Sequence, residues 1–120
     1  MTKTGYIVFA HGSSVESANE AVRQVASQMA QRGSLEIVEA AFLEQGKPDL
    51  SGAVEQIASR VSRVVVVPYF LTPGLHLKRD LPKLVEQART EFPSLEFEVT
   101  PPLDGHPAMA DVLVARALGR

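Results

Sequence analysis

The side chains best suited to metal chemistry in this sequence are two histidines that each follow an apolar run. His11 comes directly after residues 6–10, YIVFA, and His76 lies in the stretch after residues 64–67, VVVV. Imidazole nitrogens bind first-row divalent metals and accept protons near neutral pH. If the two runs are neighbouring parallel strands, both histidines lie at the carboxyl edge of the sheet, where such folds bind ligands. The spacing therefore indicates a candidate metal site built from two loops.

Glu44 is a third candidate, because it follows the second predicted strand at the same edge of the sheet. Its carboxylate is suited to binding a metal or to accepting a proton. An alternative stays open for each residue taken alone, since a single loop histidine or glutamate is more often a solvated surface group. His106 precedes Pro107, and we predict that it caps the last helix.

A regular alternation of strand-like and helix-like segments has to position these residues. The strand-like segments cover residues 6–10, 35–42, 64–67 and 95–100. Apolar residues at helical spacing follow each of them, so the pattern predicts a (βα)4 order. That order is typical of a three-layer α/β/α fold with a four-stranded, mostly parallel sheet. We expect a flavodoxin-like strand order, 2-1-3-4, in a single domain that spans residues 1–120.

Local signals predict where the helices begin. Ser17 and Glu20 have the spacing of a capping box at the start of the first helix. A long loop is predicted over residues 68–79, after which Asp80 caps the third helix. Pro107 is suited to the first turn of the fourth helix.

Composition narrows the function classes. The 120 residues carry 12 Lys and Arg against 14 Asp and Glu, a net charge of −2, which predicts neither a nucleic-acid nor a membrane partner. The sequence contains no cysteine, so disulfides, thiol nucleophiles and thiolate metal sites are excluded. A cytoplasmic location is the expectation. The sequence also lacks the glycine-rich fingerprints of dinucleotide-binding and P-loop proteins.

Three segments resemble the short CbiX-type sirohydrochlorin chelatases of the class II chelatase family. They are FAHGSS at residues 9–14, PYFLTPGLHLKRDLP at residues 68–82 and PLDGHP at residues 102–107. The middle segment is the most specific, and it is similar to the family pattern F-L-x-x-G-x-H-x-x-x-D-[IL]-P. The third segment is a looser match, because Asp104 is inserted before its glycine. Together they make the resemblance cover essentially the whole chain.

This resemblance implies a lyase-type metal chelatase that inserts a divalent metal into sirohydrochlorin, in a pathway of the cobalamin or sirohaem type. The metal is a substrate, with Co²⁺ the first expectation and Ni²⁺ or Fe²⁺ the others, and no organic cofactor is implied. His11 and His76 correspond to the metal-handling pair, and Glu44 corresponds to the acidic catalytic residue. Longer members contain two such halves in one chain, so a homodimer is implied here.

The tetrapyrrole substrate bears many carboxylates, which need hydrogen-bond donors and positive charge. From their positions alone, the candidates are Ser13, Ser14, Thr72, Lys78 and Arg79.

Two other functions stay open on the same fold. One is a non-catalytic module that binds or carries a metal or a tetrapyrrole. The other is a phosphate-ligand domain that uses the segment Gly12-Ser13-Ser14 at a helix start.

Overall fold

Four strands alternate with four helices in the part of the chain that the structure describes. The computed structural model describes residues 3–71 and 74–120, without the side chain of His76. The elements are β1 (Thr4–Ala10), α1 (Glu16–Gly33), β2 (Val38–Phe42), α2 (Leu50–Ile57), β3 (Arg63–Pro68), α3 (Leu75–Glu91), β4 (Glu96–Val99) and α4 (Ala108–Ala117), with a 3-10 turn at Ala58–Arg60 after α2.

The four strands form one sheet in the order β2-β1-β3-β4, and every neighbouring pair is parallel. The predicted fold class and strand order are therefore confirmed. Ala10 lies opposite Phe42 in β2, and Phe9 lies opposite Pro68 in β3. The first three strands consequently end almost level, and the loops that leave them meet at one edge of the sheet.

Alternate side chains of β1 pack against helices on opposite faces of the sheet. Ile7 and Phe9 join a core cluster with residues of α2 and α3, whereas Val8 and Ala10 join a smaller cluster with Ala26 of α1. Right-handed crossovers explain this division, because the chain reverses its direction across the sheet after β2. Burial on both faces also explains why β1 and β3 read as continuous apolar runs.

Helix α3 begins earlier than predicted, so the prediction of a loop over residues 68–79 capped by Asp80 is wrong. The helix starts at Leu75 with Gly74 at its N-cap, and Lys78 donates a backbone hydrogen bond of 3.1 Å to the Gly74 carbonyl. Leu77 and Leu81 are both buried, so the apolar stripe of the helix extends back through the segment assigned to the loop. His76, Lys78 and Arg79 thus belong to a helix.

The predicted capping box of α1 is also wrong. Helix α1 begins at Glu16, and its N-cap residue, Val15, makes no capping hydrogen bond with its side chain. Ser17 therefore lies inside the first turn. The prediction for His106 is confirmed, because its Nδ1 accepts a hydrogen bond of 3.0 Å from the backbone N–H of Ala108.

No helix in the described ranges is both long enough and apolar enough to cross a membrane.

Candidate functional site

His11 and Glu44 lie side by side because the pairing of β1 and β2 continues beyond both strands. Leu43 donates a backbone hydrogen bond of 2.9 Å to the Ala10 carbonyl, and Glu44 donates one of 3.0 Å to the His11 carbonyl. Neighbouring strands are about 4.8 Å apart, so this extension fixes the distance between the two backbones. At this backbone separation, the side chains of His11 and Glu44 are long enough to contact each other.

The two side chains do meet, with 3.3 Å between His11 Nε2 and Glu44 Oε1. The other ring nitrogen, Nδ1, lies 3.2 Å from the Gly12 carbonyl oxygen, which can only accept a hydrogen bond. That contact favours the tautomer with the proton on Nδ1, and it turns the Nε2 lone pair toward the carboxylate. Both side chains are more than half exposed, at 60% and 58%. Two electron-pair donors thus converge on one solvent-accessible point, which suits a proton or a metal cation.

Gly12 is required for this approach. Its φ angle of 93° lies in the left-handed region, and a Cβ atom there would sit 1.7 Å from the Glu44 carbonyl oxygen. Any other residue at this position would push the Glu44 loop away from His11.

A buried amide, that of Asn19 in α1, ties the two loops together from below. Its Oδ1 accepts a hydrogen bond of 2.9 Å from the Ser13 backbone N–H, while Nδ2 donates bonds of 2.9 Å to the carbonyls of Ser13 and Gln45. The partners fix the amide orientation, because the N–H needs an acceptor and the carbonyls need donors. Asn19 is only 1% exposed. Ser13 follows His11 by two residues and Gln45 follows Glu44 directly, so Asn19 positions both.

Sequence reasoning missed Asn19, since it belongs to no catalytic motif and occupies an ordinary helix position. The sequence did contain a signal, which is the position of Asn19 on the face of α1 that packs against the sheet. A polar side chain buried on that face must form hydrogen bonds within the protein.

Arg23, one turn further along α1, contacts the loop after β2 from the solvent-exposed side of the helix. It donates to Glu16 at 2.7 Å, to Glu20 at 3.1 Å and to the Lys47 carbonyl at 3.2 Å. The hydrogen bond from Arg23, together with a weaker one from Asn19, holds the pKa of the Glu16 carboxyl below its ordinary value. The hydrogen bonds of Arg23 with Glu16 and, second, with Glu20 raise the pKa of Arg23.

A cavity of ≈ 470 Å³ opens in front of the pair. Three of its walls are the apolar side chains of Leu43, Phe70 and Leu77, and Phe70 packs edge-on against Phe9 with 6.4 Å between ring centroids. Gly74 and Asp80 line the cavity from α3. Asp80, assigned to a helix cap from the sequence, thus borders the site. Its spacing of four residues from His76 would have signalled this had the start of α3 been predicted correctly.

The remaining candidates are less closely grouped. His76 is the second residue of α3, between two cavity-lining residues, and its side chain lies outside the described part, as does the whole of Thr72. Ser13 Oγ accepts a hydrogen bond from the Val15 N–H, and Ser14 is exposed. Lys78 lines a different groove, and Arg79 lies 3.9 Å from Asp80.

No group of three or more potential metal-ligating side chains occurs among those that the structure describes. Among the described side chains, the donors in contact with each other at the edge of the sheet are the imidazole of His11 and the carboxylate of Glu44, and the carboxylate of Asp80 lines the same cavity.

Comparison with known proteins assigns the chain to a family. The family model named CbiX matches residues 5–119. The chain belongs to the CbiX family. This result confirms the resemblance carried by the three sequence segments.

Curated relatives of this CbiX chain are sirohydrochlorin chelatases. The sirohydrochlorin cobaltochelatase of Methanosarcina barkeri is 31% identical over 116 residues, which cover 94% of this chain and 89% of the relative. The chloroplastic sirohydrochlorin ferrochelatase of Arabidopsis thaliana is 32% identical over 110 residues, which cover 91% of this chain but 49% of the relative. The crystal structure of the CbiX protein from Marinobacter aquaeolei superposes with a TM-score of 0.87 at 25% identity, covering 98% of this chain and 94% of that one.

Asn19→Ala tests the tie between the two loops. Removing the amide leaves the N–H of Ser13 and two carbonyls without their partner, so we expect the free energy of unfolding to fall by about 2–4 kcal/mol. Urea denaturation measures the loss. The matched control is Gln24→Ala, which removes an exposed amide from the same helix and should change stability by less than about 0.5 kcal/mol. Equal effects of the two substitutions would refute a special role for Asn19.

Glu16→Gln tests the ion pair with Arg23 through its pH dependence. Because the pKa of Glu16 is lowered in the folded state from 4.5, its stabilising contribution is complete above that value and is lost as the pH falls through the folded-state pKa. The variant should therefore be less stable than the parent at pH 7, and the difference should disappear in acid. Urea midpoints over a pH series measure it, with Glu55→Gln on α2 as the control for losing an exposed carboxyl. A difference that does not change with pH would contradict the assignment.

Proposed function

We propose that this protein is a sirohydrochlorin chelatase, which inserts a divalent metal ion into the tetrapyrrole sirohydrochlorin. The metal ion is a substrate of this reaction. The observation that carries the proposal is the 3.3 Å approach of His11 Nε2 to Glu44 Oε1 at the mouth of an apolar cavity. The family supports the same reaction, since its curated relatives are named for it.

The spacing of the pair suits one first-row metal ion. With metal–ligand distances of about 2.1 Å, donor atoms 3.3 Å apart subtend an angle of roughly 100° at the ion, within the range of tetrahedral and octahedral coordination. One imidazole and one carboxylate leave several coordination positions open. We assign His76 as a second imidazole ligand from α3. A ligand set of this size binds the ion and still allows the macrocycle nitrogens to replace the protein.

Metal insertion also requires a base, because the pyrrole nitrogens must lose their protons as the metal binds. We assign this role to Glu44 once the macrocycle nitrogens have replaced its carboxylate at the ion, because that carboxylate is exposed to the cavity beside His11. His11 Nε2 would hold the ion, while the contact of Nδ1 with the Gly12 carbonyl keeps the ring oriented. The two side chains thus deliver the metal and remove the protons at adjacent points.

The cavity offers complementary surfaces for the rest of the substrate. Leu43, Phe70 and Leu77 provide apolar walls for the flat ring. For the peripheral carboxylates we retain the donors named from the sequence: Ser13, Ser14, Thr72, Lys78 and Arg79. The start of α3, which Gly74 caps at the edge of the cavity, adds the positive end of a helix dipole.

We propose Co²⁺ as the physiological metal, because a relative that matches over most of both chains is named for cobalt. A histidine and a carboxylate do not by themselves discriminate between Co²⁺, Fe²⁺ and Ni²⁺. We also propose that the working unit is a homodimer, as the half-length match to the plant relative suggests. The cytoplasmic location stays a prediction.

Anaerobic assays with sirohydrochlorin and each of the three metals test the proposal, with insertion followed by the change in absorbance. We expect His11→Ala to lower the rate by about 100-fold and Glu44→Gln by about 10-fold, because these remove the metal ligand and the base. His76→Ala should also lower it strongly. The control Glu55→Gln, which removes a distant exposed carboxyl, should keep the parent rate.

Two outcomes would contradict the proposal in different ways. Tight stoichiometric binding of metal or macrocycle without turnover for any metal would indicate a carrier. Full activity of both His11→Ala and Glu44→Gln would show that the reaction occurs elsewhere on the protein.

A further inference from the structure

The loop that carries Glu44 is short, and its two ends are joined. Strand β2 ends at Phe42, and α2 begins at Leu50 with Asp49 at its N-cap. The Phe42 backbone N–H donates a hydrogen bond of 2.9 Å to the Pro48 carbonyl, close to the other end of the loop. Glu44 lies between these points with a side chain that is 58% exposed. The position of its carboxylate therefore depends on what holds the loop after β2 in place.

The guanidinium of Arg23 in α1 contacts this loop on both sides of Glu44. On the strand side, its Cζ atom lies over the Phe42 ring, 5.4 Å from the ring centroid. Such a contact between a cation and a ring is attractive, and it is stronger where the ring is shielded from water, as Phe42 is at 1% exposure. On the helix side, Nη2 of Arg23 donates a hydrogen bond of 3.2 Å to the Lys47 carbonyl. One side chain thus connects both ends of the loop to α1.

Two carboxylates of the same helix fix the guanidinium. Nη1 of Arg23 donates to Glu16 at 2.7 Å and to Glu20 at 3.1 Å, while Nη2 donates to the loop. Partly exposed ion pairs contribute little to stability, and the Arg23 side chain is 34% exposed. A planar guanidinium donates in several fixed directions at once, which an ammonium group does not. The main effect of the two ion pairs is therefore on the orientation of Arg23.

Arg23 and Asn19 hold different parts of the site. Asn19 contacts both loops, through the Ser13 backbone and the Gln45 carbonyl. In residues 3–71 and 74–120, the polar and ring contacts of Arg23 outside its own helix are with the loop after β2 and with the strand residue that precedes it. Loss of Arg23 should therefore release the loop of Glu44 and leave Ser13 in place.

We propose that Arg23 is a positioning residue, which holds the loop after β2 against α1 and thereby keeps the Glu44 carboxylate beside His11. Glu16 and Glu20 support it by fixing the guanidinium. Arg23 is not part of the described cavity lining, so it acts through Glu44 and not on the substrate. The consequence for catalysis rests on the proposed function, in which Glu44 is the base, whereas the effect on the loop does not.

Hydrogen exchange of backbone amides, followed by NMR, tests the effect on the loop without any substrate. The Phe42 and Glu44 amides are hydrogen-bonded in the structure, and both bonds break when the loop leaves α1 and the sheet. In Arg23→Ala we expect these two amides to exchange at least about tenfold faster, because the loop opens locally. The Ser13 amide, which the buried side chain of α1 holds, should change by less than about twofold.

Two further variants separate orientation from charge. Arg32→Ala removes an exposed arginine from the last turn of α1 and should leave all three amides within about twofold of the parent. Arg23→Lys keeps the charge but not the planar group, so its amides should exchange as those of Arg23→Ala do. Circular dichroism verifies that each variant is folded.

Three results of the exchange experiment would overturn the proposal. The first is parent-like exchange in Arg23→Ala. The second is parent-like exchange in Arg23→Lys, which would show that charge alone is sufficient. The third is an equal acceleration at Ser13, which would indicate a general loss of stability instead of a released loop.

The initial rate of Co²⁺ insertion into sirohydrochlorin tests the consequence for the reaction. Arg23→Ala should lower the rate by about fivefold in the parent but by less than about twofold in Glu44→Gln, because the carboxylate to be positioned is then absent. Equal losses in both backgrounds would show that Arg23 does not act through Glu44. A parent that inserts no metal, with amide exchange as expected, would refute the proposed function and leave the role of Arg23 in the loop intact.

Discussion

The hydrogen bonds of the Asn19 side chain are the interaction on which the candidate site depends. An amide that is 1% exposed cannot turn to water, so its donors and acceptor must be satisfied within the protein. Its closest partners are backbone groups in the loops after β1 and β2, and these loops carry His11 and Glu44. Gln45 has a φ angle of 54°, unusual for a residue with a side chain, and its carbonyl is held by the same amide. The constraint thus converts two exposed loops into one rigid support.

A rigid support under an exposed pair is the arrangement that metal transfer requires. Tight enclosure by many ligands would hold the ion, whereas loose side chains would not present it in a fixed direction. Here the backbones of His11 and Glu44 are fixed by the extended β1–β2 ladder, Gly12 permits their close approach, and the side chains above them remain open. The absence of cysteine from the sequence agrees with this chemistry, because imidazole and carboxylate release first-row metals more readily than thiolate does.

The fold and the pair at the edge of the sheet were predictable from the sequence for a physical reason. Apolar periodicity reports burial, and the buried runs of β1 and β3 required helices on both faces. The start of α3 was misjudged because Pro73-Gly74 and Asp80 are both acceptable helix starts, and only the burial of Leu77 selects the first. Asn19 was unpredictable as a support, since its bond to Gln45 joins residues 26 positions apart and leaves no local pattern.

A double-mutant cycle on metal insertion tests the central claim, which is that Asn19 acts by positioning His11 and Glu44. Asn19→Ala is measured alone and in the background of the double variant His11→Ala/Glu44→Gln, with the initial rate of Co²⁺ insertion into sirohydrochlorin as the readout. We predict a loss of about tenfold in the parent and a change of less than about twofold in the double variant, because the residues to be positioned are then absent. An equal loss in both backgrounds would show that Asn19 affects the protein without acting through the pair, and would contradict the account.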